Sequence, residues 1–241
     1  METIITLGYY VSSLSFLLAS IITALAVRKF GESTLGSIFS YLFIGTEIIF
    51  VITVFQKLGS DFFLISEASV DIWVHIMLYL ALFSYYFGFR ALVGLVGNSS
   101  VAVSNPGHEG GKTWGIFAIV MLVIIFILPN KLESFIGAYT GSLLAGYGFH
   151  YYLACLWAGM AGTFLIRVKK YLGQIGRAIA NPMTVAIWTL AVMEFWSLLA
   201  KTWKVVDLSP SSIEGVEKLF LIIASVSVTY GALHLRSLAK V

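Results

Sequence analysis

The chain has 241 residues, 59% of them apolar and only 11% charged, with a formal net charge of +3 and a mean hydropathy of +0.93. A soluble domain keeps about a quarter of its residues charged, so this composition excludes a water-facing globular fold. The single cysteine, Cys155, excludes an intrachain disulfide and a dithiol redox motif.

Seven apolar runs have the length that crosses a hydrocarbon layer of about 30 Å. The first, residues 4–27, follows a leader without basic residues and reads as a mature helix rather than a cleaved signal. The second, 35–55, holds one charged residue, Glu47. The third, 72–93, carries His75, with Asp71 one helical turn earlier on the same face. The connection after it contains "PGHEGGKTW" at 106–114. This ends in Gly-Lys-Thr, but Pro106 stands where a phosphate-binding loop requires glycine, and no strand precedes it. It reads as a connector.

The fourth span, 113–128, is closed by Pro129, which cannot continue a helical ladder. A glycine-rich apolar stretch leads into the fifth, 143–166. The two together are too long for one straight helix, so a bend is expected at 135–145. The fifth span carries His150, and Ala154, Ala158 and Gly162 recur along it as a small-residue seam for close helix contact. The sixth, 183–201, follows Asn181–Pro182 and carries Glu194; the seventh is 216–235. The expected fold is an all-α integral membrane protein, a single polytopic domain over 1–241 with seven transmembrane helices.

Lys and Arg set the orientation. One set of connections holds Arg28, Lys29, Arg90, Lys112, Arg167, Lys169, Lys170, Arg177, Arg236 and Lys240; the other holds only Lys57, Lys131, Lys201, Lys204 and Lys218. This imbalance places the N-terminus outside and the C-terminus in the cytoplasm, in a multi-pass protein of a prokaryotic cell membrane. The positive net charge is thereby an orientation signal, and no nucleic-acid partner is expected.

The spans also admit a 3+1+3 parallel duplication, with 1–96 as the first half, 113–130 as a linker helix and 143–241 as the second half. In that alignment Glu47 falls on Glu194 and Lys57 on Lys204, while Asp71 and Arg90 match Glu217 and Arg236. The plan resembles that of SWEET and PQ-loop sugar transporters in architecture alone, because helices one and five lack the proline motifs of that family. A retinal-binding protein is excluded, since no lysine occurs within 219–235 to form a Schiff base. The helix-three and helix-seven signatures of G-protein-coupled receptors are absent as well. No family is identified from motifs.

The chemistry rests on ionisable residues inside the spans. An ionised carboxylate at mid-bilayer costs about 2.5–3.5 kcal/mol on insertion scales, so Glu47 and Glu194 must face the bundle interior, be protonated, or have a partner. Counting residues from the span ends puts both glutamates near the midplane. The same count puts His75 and His150 roughly six residues, or about 9 Å, further outward. Two histidines and two glutamates are a ligand set suited to zinc or iron, but that stagger opposes a shared ion; the two histidines alone suit a haem. No zinc, haem or other cofactor is expected, and no catalytic set is evident.

The expected site comprises Asp71, His75, His150, Glu47 and Glu194, stepping from the outer face to the midplane between the two halves. Its task would be to bind or translocate a proton, a cation or a small solute. The expected partners are the bilayer, that solute and other membrane subunits. Two alternatives stand beside it: a non-catalytic membrane subunit or sensor module acting through a partner, and a membrane-embedded metalloenzyme.

Overall fold

A computed structural model describes residues 2–31, 34–63, 67–97, 142–171 and 174–238. It is helical, with no strand among the described residues. The long helices are α1 (Glu2–Phe30), α2 (Thr34–Phe63) and α3 (Glu67–Gly97) in the first part of the chain. A single turn, α4 (Leu143–Gly146), precedes α5 (Phe149–Lys169), α6 (Gln174–Ser197) and α7 (Pro210–Leu238). Six of these helices are long and apolar enough to cross a membrane. The expected fourth span, 113–128, lies outside the described residues, as does most of the bend expected at 135–145.

Local sequence explains where the helices start and stop. Gly31, with φ +51°, takes the left-handed position that closes α1. Gly148, with φ +69°, turns the chain between α4 and α5. A Cβ there would lie 2.7 Å from both Leu198 Cδ1 and Thr202 Oγ1, so glycine is required by approach as well as by φ. α7 opens on a Ser-Pro-Ser-Ser sequence: Pro210 occupies the first helical position, and the Ser212 N–H donates to Ser209 Oγ at 3.3 Å. This start precedes the expected 216 and adds Glu214 to the helix that carries Glu217 and Lys218. α6 begins at Gln174 and runs through Pro182, which the sequence suggested as its boundary. Proline is tolerated inside membrane helices where neighbouring groups satisfy the freed carbonyl. At its other end α6 widens into a π-helical turn, Leu198–Thr202.

The six long helices form a closed ring in the order α1, α2, α3, α5, α6, α7. Directions follow from paired contacts. The Phe30 and Phe39 rings meet at one end of α1 and α2, and Ser20 meets Glu47 further along, so these two run antiparallel. α2 and α3 do likewise through Thr46–Tyr85 and Tyr41–Gly88, as do α6 and α7 through Ser197–Glu217 and Met183–Gly231. α5 and α6 are antiparallel through Gly162–Trp188 and Gly148–Leu198. Two neighbouring pairs instead run parallel. α3 and α5 meet through Tyr79–Trp157 and Tyr86–Phe164, and α1 and α7 through Gly8–Lys218 and Ser15–Thr229. The ring is therefore two antiparallel triplets joined along two parallel seams.

Tyr85, Phe16, Ile49, Leu82, Leu165, Ile187 and Leu190 are buried inside this ring. The outward faces are also apolar: Leu14, Leu18, Ile21 and Leu25 on α1, and Leu219, Ile223, Val226 and Tyr230 on α7, are exposed. A helix apolar all round belongs in lipid. Ala154, Ala158 and Gly162 are buried, as the small-residue seam on α5 anticipates, and Trp188 packs against Gly162.

Candidate functional site

Buried polar groups concentrate toward the end of the ring where α3, α5 and α7 begin and α6 ends. Glu194 on α6 has no exposed surface, and both of its carboxylate oxygens lie at hydrogen-bond distance from His75 Nδ1 on α3, 2.8 and 3.0 Å away. α3 and α6 flank α5, whose first turn supplies the adjoining His150 and Tyr151. The Tyr151 ring packs edge-on against His75 at 4.5 Å between centroids, and the His150 ring lies 5.9 Å from His75. A proton between Glu194 and His75 resides on either partner. A carboxylate accepts from the imidazole N–H, and a carboxylic acid donates to the ring nitrogen.

The pairing departs from the expected 9 Å stagger. The sequence estimate placed both residues by apolar windows, whereas the helices extend past them. His75 sits eight residues after the start of α3 at Glu67, and Glu194 eight residues before the end of the π-helical turn at Thr202. The two are thus level, about 12 Å from those ends.

Glu47 is not at this depth. It lies sixteen residues from the end of α2 at Phe63, roughly 24 Å along the helix. There it accepts a hydrogen bond from Ser20 on α1. The structure brings His75, Glu194 and His150 together and leaves Glu47 with a separate partner. Asp71 is on α3, four residues before His75, and its side chain lies outside the described residues.

Two further clusters complete the polar end of the ring. Glu217 Oε1 on α7 accepts from Ser197 Oγ at 2.6 Å and pairs with Lys201 Nζ at 3.0 Å. Ser197 stands three residues after Glu194 on α6, on the same helix face. On the other side of α7, Lys218 is buried: its Nζ donates to Gln56 Oε1 at 2.9 Å and lies 3.9 Å from the centre of the Tyr9 ring. Tyr9 in turn donates its hydroxyl to Glu214 at 3.0 Å. The sequence reading treated Lys201, Glu217 and Lys218 as helix-end charges and repeat markers. All three lay inside the expected spans; the Ser-Pro start at 209–210 adds Glu214 to the same helix as Glu217 and Lys218.

Among the described residues, no three His, Cys, Asp or Glu side chains are grouped so as to hold a metal ion. The Tyr151 ring packs against both imidazoles, its centroid 4.0 Å from that of His150 and 4.5 Å from that of His75. A groove of about 540 Å³ runs along the outside of α5 beside Trp188, lined by Tyr152, Cys155, Gly159, Thr163 and Arg167 among others. None of the five expected site residues lines it.

No protein-family model matches the chain, and neither curated proteins nor solved structures show detectable similarity to it.

Proposed function

We propose that this chain is a proton-conducting membrane protein in which His75 and Glu194 hold and pass the proton. The single observation that carries this reading is the fully enclosed pair itself, with both Glu194 oxygens facing one imidazole nitrogen. A solute or hydrated cation would have to displace His75 to reach the carboxylate. A proton needs only the existing hydrogen bond, so the broader choice of proton, cation or solute narrows to the proton. Further inward, Glu47 with Ser20 offers the next carboxyl.

The reading includes the N-outside, C-inside orientation and the seventh crossing at 113–128. It takes support from the parallel course of α3 and α5, because a connection between parallel neighbours must cross from the end of the bundle where α3 finishes to the end where α5 begins. It also includes the duplication, supported by the division of the ring into two antiparallel triplets. If the halves are repeats, their glutamates have diverged in partner: Glu47 bonds the helix before its own, and Glu194 bonds a helix of the other half.

The test is proton flux into liposomes carrying the full chain, driven by a potassium potential and read by a trapped pH dye. Wild type is expected to conduct above empty liposomes, and Glu194→Gln to fall to the empty-liposome level. Equal flux in wild type and Glu194→Gln removes the reading.

A further inference from the structure

We infer that Glu217 is the outer proton-collecting carboxyl of this site and that it hands protons through Ser197 to Glu194. The inference rests on the reading of His75–Glu194 as a proton site.

Three observations support it. First, exposure falls along the series: the Lys201 side chain is 28% exposed and the Glu217 side chain 11%, while Ser197 and Glu194 are 0%. Glu217 is thus the last carboxyl in the series with contact to the outside. Second, the connection is short. Ser197 Oγ donates to Glu217 at 2.6 Å, and Ser197 stands one helical turn after Glu194 on the same face of α6. Third, the backbone is irregular where the series begins. The π-helical turn Leu198–Thr202 carries Lys201, and Lys204 just beyond it holds a left-handed φ of +50°. Single π turns inside α-helices recur at functional sites. Here the turn presents the Lys201 ammonium to the same Glu217 oxygen that Ser197 uses.

The step balances without a co-reactant. Protonated Glu217 gives its proton to Ser197 Oγ while the Ser197 hydroxyl proton moves to the Glu194 carboxylate. Glu217 is left as carboxylate, Glu194 as carboxylic acid, and the hydroxyl is regenerated. Ser197 also donates to the Met193 carbonyl at 3.1 Å, and the second half of the transfer requires its side chain to turn from that position toward Glu194, one helical turn away. Lys201 is a positioning residue: it fixes the Glu217 carboxyl against Ser197.

The test is a stopped-flow pH drop on the full chain in lipid nanodiscs, followed by infrared absorption of the carboxylic-acid C=O stretch. The band that Glu194→Gln removes reports Glu194. In Glu217→Gln, whose amide oxygen still accepts from Ser197 and Lys201, that band is expected to reach its wild-type amplitude about a hundredfold more slowly. Added formate, a small diffusible acid, is expected to restore the rate. Ser197→Ala is expected to be slowed to a similar extent. A Glu194 band that rises at the wild-type rate in Glu217→Gln overturns the inference and leaves the His75–Glu194 reading standing. So does a slow rise that formate does not restore. A Glu194 band that never responds to pH overturns both.

Discussion

Replacing His75 by leucine removes the only hydrogen-bond partner of Glu194 among the described residues while leaving the carboxyl fully enclosed. Breaking a buried pair in this way costs about 3–5 kcal/mol, because the remaining group keeps its desolvation penalty without the compensating bond. At about 2–4 °C per kcal/mol for a chain of this size, His75→Leu lowers Tm by about 6–20 °C. The double variant His75→Leu/Glu194→Leu carries no stranded polar group, and exchanging a buried pair for apolar residues is often close to neutral. It is therefore expected to melt above His75→Leu. The assay is a detergent melt followed by circular dichroism on wild type, both single variants and the double. The reasoning is refuted if His75→Leu melts within about 2 °C of wild type, or if the double variant is destabilised by the sum of the singles.

Gly148→Ala and Gly159→Ala should move stability in opposite directions. The first forces a side chain into left-handed φ and against Leu198 and Thr202, costing at least about 1–2 kcal/mol; the second meets nothing within 4 Å and gains about 0.5–1 kcal/mol of helix propensity. Comparing the two melting temperatures checks both signs. Orientation is checked with a membrane-impermeant maleimide in a Cys155→Ser background. Lys204→Cys is expected to label in intact cells, and Arg177→Cys only after permeabilisation.

Hydropathy alone made the six described spans legible, since lipid as solvent leaves a run of apolar residues no other place. The ends were less legible, because polar residues at helix ends carry no apolar signal. α3 starts at Glu67 and α7 at Pro210, well before their apolar windows, and both early starts bear on the site. Glu194 and His75 stood out as intramembrane ionisable residues, yet their pairing stayed hidden. It depends on helix ends and ring order, and neither is written in local sequence. The match of Glu47 to Glu194 in the chain did not translate into proximity, because each glutamate found a partner on a different neighbouring helix.

The two parallel seams bear on how the molecule is assembled. Hydrogen bonds within a triplet join residues close in sequence: Ser20 and Glu47 are 27 apart, Thr46 and Tyr85 are 39, and Ser197 and Glu217 are 20. Those across the seams join residues far apart: 205 for Tyr9–Glu214, 214 for Thr229–Ser15, 162 for Lys218–Gln56 and 119 for His75–Glu194. Contacts of such separation wait on the closure of long loops. Each triplet can complete its own bonds as its hairpins insert, but the His75–Glu194 pair cannot form until the second triplet has docked against the first. The candidate site thus forms only once the two triplets meet, and a chain stalled with only its first half inserted would carry His75 with no Glu194 to meet.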